Sequence, residues 1–219
     1  ISDIFTGVYS VVGIMAALRR RDESGIGSHV DMALFDTTVS ILGNQALNYF
    51  IGGRAPTRMG NAHPNLVPYQ VFPVADGHLV IATGNDGQFR KLCGILDMAG
   101  AAQDPDYATN ALRIAHRERL VGLIAERTAA WKRDDLLAAL EKASVPAGPI
   151  NTVADVFADP QVAWRGMKVE LQAPHVEGGT VPTLRSPLML DGEAQVSRSP
   201  PPRLGEHTDD VLADPAWGG

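Results

Sequence analysis

Cysteine, surplus charge and long apolar runs are all scarce in this chain, and each scarcity excludes something. Cys93 is the one cysteine, so no internal disulfide forms, and no Cys/His cluster has zinc-ligand spacing. No metal and a reducing, cytoplasmic compartment are therefore expected. The net charge over 219 residues is −6 with both signs interspersed, which lacks the basic field that nucleic acid or an anionic membrane recruits. The expectation is no nucleic-acid and no membrane partner. The longest apolar stretch, Val8 to Leu18, is broken by Tyr9, Ser10 and Gly13 and ends in Arg19-Arg20-Arg21, too short to span a bilayer. Its charges follow the apolar run, and no small-residue cleavage site appears, so it does not read as a signal peptide. The chain opens on Ile1 rather than Met, and something upstream is expected to be missing.

What is present is a globular composition, 45% hydrophobic and 20% charged, enough for one or two cores. From Asp3 to about Arg21, Val8, Val11, Val12, Met15 and Leu18 recur at spacings of three and four, predicting a helix with one buried stripe, capped by Ser2 or Asp3 and closed at Gly25. Gly27 to Ala33 alternates like a short strand, and a helix from about Leu34 to Phe50 ends at Gly52-Gly53. Residues 52–68 hold glycines, prolines and two arginines without periodicity and read as a loop. Two apolar runs, Tyr69 to Val74 and His78 to Thr83, flank Asp76-Gly77 and predict a hairpin. Helices are expected at Gln88 to Met98, His116 to Trp131 and Arg133 to Ala143, then a brief one at Thr152 to Phe157. Strands at Met167 to Leu171 and Thr180 to Leu184 precede a short helix capped by Thr208 and a frayed tail from Asp214.

Three places carry possible chemistry, each with a plainer explanation. Asp3 sits at a helix N-terminus, where carboxylates are favoured simply because they accept backbone N–H bonds. The loop Arg58-Met-Gly-Asn-Ala-His-Pro-Asn65 offers Gly60 for close backbone approach and Asn61 and His63 as polar groups, and on residues alone it reads as a polar linker. Glu206-His207 are adjacent and point in different directions on most backbones, so they read as turn and capping material. Gly84-Asn-Asp-Gly87 is a weak anion-site candidate, and no GxSxG elbow, phosphate loop or dinucleotide fingerprint occurs.

Taken in order, these segments resemble a known family. Ser2-Asp3-Ile-Phe-Thr-Gly7, then Ala-Leu-Arg-Arg-Arg-Asp-Glu-Ser-Gly25 and Gly27-Ser-His-Val-Asp31, is similar to the central stretch of the class III CoA-transferases, the CaiB/BaiF family (formyl-CoA transferase and L-carnitine dehydratase-like proteins). Gly60-Asn-Ala-His-Pro64 with Pro68-Tyr69, Phe72 and Asp76-Gly77, then Val145-Pro-Ala-Gly-Pro-Ile150 and Pro202-Arg-Leu-Gly-Glu-His-Thr208, resemble further family motifs. The resemblance covers the family's C-terminal half and implies an α/β fold with a large Rossmann-like domain, a linker and a small α+β domain, in an interlocked homodimer. Residues 1–52 would then belong to the large domain, 53–68 to the linker and active-site loop, 69–150 to the small α+β domain, and 151–219 to a return segment toward the large domain. It implies transfer of CoA between an acyl-CoA and a carboxylic acid acceptor, Asp3 as the nucleophile, and substrate or CoA contacts at Gly60, Asn61, Ala62, His63 and Pro64. Coenzyme A enters as substrate, and no metal is involved. Most nucleotide contacts of the family come from its other half, and His63-Pro64-Asn65 stands where members often carry a glycine-rich loop. The alternatives are an α-methylacyl-CoA racemase of the same family and an inactive portion that needs the CoA-binding half.

Overall fold

The computed structural model describes residues 1–197 and 199–217, with Trp217 described by its backbone alone. The chain parts into two compact units, one from Ile1 to Pro64 and one from Asn65 onward.

The first unit is helical among its described residues. Helix α1 spans Ser2–Ser24 and stops at Gly25, whose φ of 72° and ψ of 3° is the left-handed conformation that glycine adopts without strain. Neither Ser2 nor Asp3 caps it: the N-cap is Ile1, with no side-chain bond to the first amides. The predicted stripe is not buried either. Val8, Val12 and Met15 are each more than half exposed, as is Ile4, and Tyr9 and Ile14 are also open to solvent. Apolar residues thus surround α1, a composition found in helices that sit inside a larger body.

The strand expected at 27–33 is absent. That segment has no ladder partner in its unit and lies instead along α1, where Val30 leaves only 3.1 Å for a Cβ at Gly13. The long helix predicted next is two, α2 (Leu34–Ser40) and α3 (Asn44–Gly52). Gly43 separates them with φ 53° and ψ −123°, a conformation closed to side-chain-bearing residues.

The second unit is built on a hairpin. Strands β1 (Tyr69–Val74) and β2 (Gly77–Ala82) pair antiparallel with Phe72 opposite Leu79 and Val71 opposite Val80. The turn is Ala75-Asp76, one residue earlier than Asp76-Gly77, because both turn residues are tied down elsewhere. Ala75 N–H donates to Trp131 O at 2.8 Å, and Asp76 Oδ1 accepts from Arg133 N–H at 2.8 Å. Phe72 and Val74 share a face with Leu79 and Ile81, and all four are buried. Against that face pack α4 (Asp86–Ile95), α7 (Arg117–Thr128) and α8 (Arg133–Lys142), contributing Leu92, Leu120, Ile124, Leu136 and Leu140, each with no exposed surface. The short helices α5 (Ala99–Gln103) and α6 (Asn110–Ala115) connect them, and strand β3 (Ala147–Pro149) adds to β2 to give the order β1-β2-β3. At about 1.5–3 kcal/mol for each fully buried aliphatic or aromatic side chain, this cluster dominates the stability of the chain.

Among the described residues, Arg113, on α6, is the one cation deep in that core, with 1% of its surface exposed. It is fully engaged. Nε donates to Val67 O at 2.8 Å, Nη1 to Tyr107 O at 3.0 Å and Nη2 to Asp86 Oδ1 at 2.7 Å, while the guanidinium lies 4.6 Å from the Phe89 ring centre.

Beyond β3, Thr152 and Asp155 form a reciprocal capping box on α9 (Val153–Ala158), and Asp159 caps a further turn, α10 (Pro160–Trp164), beyond the brief helix expected there. Strands β4 (Lys168–Gln172) and β5 (Thr180–Leu184) pair antiparallel as expected, followed by the two-residue pair β6 (Met189–Leu190) and β7 (Glu193–Ala194). The last helix, α11 (Thr208–Ala213), has His207 rather than Thr208 as its N-cap, without a side-chain bond. The tail predicted from Asp214 forms one 3-10 turn over Pro215–Trp217, and Gly218 and Gly219 lie outside the described residues.

Candidate active site

Asp3 occupies the first turn of α1, where the amides are still free of intrahelical partners; the first ladder bond runs from Phe5 N–H to Ile1 O at 2.9 Å. Thr6 Oγ1 donates to Ser2 O and Ser10 Oγ to Thr6 O, both at 2.8 Å, so the hydroxyls of the first turns satisfy carbonyls of the helix itself. Asp3 is exposed and, among the described residues, takes no hydrogen bond or ion pair. The plain explanation of an acidic residue at this position, a side-chain cap, therefore does not hold here.

The other predicted contacts lie in the same unit. Gly60 has φ 61° with open space where a Cβ would stand, and Ala62 N–H donates to Met59 O at 3.2 Å, closing a turn. Asn61 is exposed, whereas Ala62, His63 and Pro64 are half-buried. Two grooves open in this unit. One of about 710 Å³ is lined chiefly by Val39, Leu42, Ala46, Tyr49 and Phe50, with Gln45 and Thr57 among its polar members, and another of about 230 Å³ lies along α1 and Gly27 to Val30. Neither is lined by Asp3 or by residues 60–64.

The remaining candidates have structural employment. Asn85 caps α4 by accepting from Gln88 N–H at 2.9 Å, Gln88 Oε1 accepts from Gly84 N–H at 2.7 Å, and Asp86 pairs with Arg113, so the Gly84–Gly87 turn has its polar groups committed. Glu206 accepts from Arg203 N–H at 2.6 Å, and that bond holds its carboxyl below the usual carboxylate range. Cys93 is buried, and burial pushes its thiol up to about 11, against a smaller opposing pull from the Arg113 charge. It has no nucleophilic character at neutral pH. No group of three or more His, Cys, Asp or Glu among the described residues could hold a metal ion, and no helix among them is long and apolar enough to cross a membrane.

A further feature of the loop is its charge. From 37 to 75 the chain contains no Asp or Glu, while Arg54 and Arg58 both fall in that interval. Scanning for the absence of one sign within a segment, rather than for net charge over the whole chain, is what exposes it.

Comparison with known proteins fixes the class. A mixed helix-and-sheet fold of this kind is seen in a crystal structure of a CaiB/BaiF family protein from Brucella suis, at TM-score 0.77 and 52% identity, over 97% of this chain and 54% of that one. CoA-transferase family III matches residues 1–208, and the chain belongs to that family. It is 49% identical to a succinate–glutarate CoA-transferase of Agrobacterium fabrum over 98% of its own length and 53% of the relative's. It is 36% identical to the human succinyl-CoA:glutarate CoA-transferase over 97% of its own length and 48% of the relative's. The chain thus spans about half the length of the curated relatives it matches.

Proposed function

We propose that the full-length protein carrying this chain is a CoA-transferase that moves CoA between an acyl-CoA and a small dicarboxylic acid, with Asp3 as the covalent nucleophile. The observation that carries the reading is the state of Asp3: an exposed carboxylate at the positive end of a 23-residue helix, not spent on capping it, in a chain of CoA-transferase family III. The substrate class follows the names of the two relatives described above.

The Asp3 carboxylate attacks the thioester carbonyl, giving a mixed anhydride and CoA thiolate. The thiolate attacks the aspartyl carbonyl of the anhydride, which releases the donor as its carboxylate and leaves an aspartyl-CoA thioester. The acceptor carboxylate attacks that thioester, forming a second anhydride and again freeing the thiolate. The thiolate then takes the acceptor's acyl group and returns Asp3 to its ionised form. A carboxylate suits this exchange because it is charged at neutral pH and its anhydride can be opened reversibly by another carboxylate or a thiolate. In this reading, N–H groups of the Gly60 to His63 loop oppose charge on the developing oxyanion. The apolar girth of α1 supports its place inside a Rossmann-like large domain of an interlocked homodimer, with the CoA nucleotide held by residues outside this chain. By the same reasoning the chain by itself is expected to show no CoA transfer.

Asp3→Asn and Asp3→Ala in the full-length protein should abolish transfer with little loss of folding. Hydroxylamine should convert the acyl-CoA-treated wild type to a hydroxamate at Asp3, located by peptide mass spectrometry. Normal turnover by Asp3→Ala would remove the assignment. The racemase alternative predicts α-proton exchange with deuterated water in the absence of any acceptor acid; the transferase names of both relatives favour transfer.

A further inference from the structure

We propose that Arg58 binds the carboxylate of the acceptor acid that does not receive CoA, and so sets the preference for dicarboxylic over monocarboxylic acids. This rests on the transferase reading above and adds to it a residue and a basis for selectivity.

An exposed arginine without a partner is ordinary in itself, and Arg58 is exposed with no hydrogen bond or ion pair among the described residues. Its position sets it apart. It lies two residues before Gly60, at the head of the turn assigned to substrate, within the interval from 37 to 75 that contains no Asp or Glu. Five guanidinium groups elsewhere are committed to carboxylates: Arg19 to Glu23, Arg21 to Asp22, Arg113 to Asp86, Arg119 to Asp104 and Asp106, and Arg133 to Asp134. A carboxylate arriving at the loop therefore meets a cation with no internal competitor nearby in the sequence.

The proposed chemistry needs such a cation. When the acceptor enters, Asp3 is the uncharged aspartyl-CoA thioester, and only one carboxylate of the acceptor reacts. The other stays ionised throughout and needs a counter-charge as it leaves water. A guanidinium offers it a bidentate, charge-assisted pair that a point charge on lysine does not reproduce. Arg54, the other cation of the interval, follows the left-handed Gly53 that ends α3 and so has a separate reason for its charge, next to the helix's carbonyl end. It serves as the control.

The experiment uses the full-length protein and compares kcat/KM for glutarate with that for pentanoate as acceptor. The aspartyl-CoA form has already released the donor, so kcat/KM for the acceptor reports the acceptor step alone. Arg58→Ala and Arg58→Gln should lower the glutarate-to-pentanoate ratio about 10- to 100-fold, chiefly through KM for glutarate, as expected for one lost charge-assisted contact. Arg58→Lys should restore only part of it, and Arg54→Ala should leave the ratio in place. An unchanged ratio in both Arg58 variants, or an equal fall in Arg54→Ala, overturns the assignment while leaving the transferase reading intact. Absence of CoA transfer from the wild type to any acid removes the transferase reading itself, and the assignment with it.

Discussion

Arg113 and Cys93 show how far single side chains are determined by what surrounds them. Arg113 satisfies two backbone carbonyls and one carboxylate from within the core, so Arg113→Met would leave Val67 O and Tyr107 O without their donor and Asp86 without its cation. The expected loss is about 3 kcal/mol, read as a lowered denaturation midpoint at unchanged m-value. Asp86→Asn should cost less, because Asp86 is 43% exposed and water replaces part of what it loses. The thiol of Cys93 titrates well above its ordinary value of 9.0 because the fold excludes the charged form. The unfolded chain therefore releases its proton first. Its contribution to stability is complete below pH 9.0 and falls as pH rises from there to about 11, which pH-dependent denaturation with a Cys93→Ala control would register. Alkylation of the native protein at neutral pH should be slow and become fast in denaturant.

At the scale of elements, legibility followed locality. The hairpin, the helices at Arg117–Thr128 and Arg133–Lys142 and the pair β4–β5 were readable because their periodicity and turn residues lie close together in the chain. The strand expected at 27–33 failed because alternation specifies a pleat without supplying a neighbour to bond it. The split of the helix after Leu34 was missed because Gly43 in a helical pattern is tolerated as often as it breaks one. Asp3 and the Gly60 to Pro64 turn stand out as candidates only through family resemblance, since carboxylates at helix starts and polar loops are common without chemistry. Arg113 carried no readable signal, because an arginine's burial depends on carbonyls far along the chain.

The capping box on α9 offers a test at this same scale. Bonds from the Thr152 N–H and hydroxyl hold the Asp155 carboxyl below its ordinary range. Its contribution is present above about pH 3.9, the unfolded value, and is lost as pH falls through the lower folded one. Carboxyl chemical shifts of Asp155 followed through an acid titration should place its midpoint below that of exposed aspartates, and Thr152→Ala should return it toward the ordinary value.

Across the whole molecule, burial is uneven. Sixteen hydrophobic residues between Val67 and Val145 form a closed core, whereas from Ile1 to Pro64 the one buried residue is Thr37. In this chain by itself, amide exchange should therefore be slowest in β1, β2, α7 and α8 and fast throughout α1, and limited proteolysis should remove the first unit before cutting the second. Equal protection of the two units would contradict this distribution. How much of the chain's order is its own and how much is borrowed from surroundings was not readable from composition, because apolar residues contribute to the total equally whether they pack or not.

The three-stranded sheet carries proline in both of its outer strands, Pro73 in β1 and Pro149 in β3, and β3 is only three residues long. Neither margin presents an unbroken row of amide donors, so another copy has no template on which to lengthen the ladder. If this polypeptide precipitates, its aliphatic first helix is the adhesive, and the deposit should be amorphous and dye-negative instead of fibrillar.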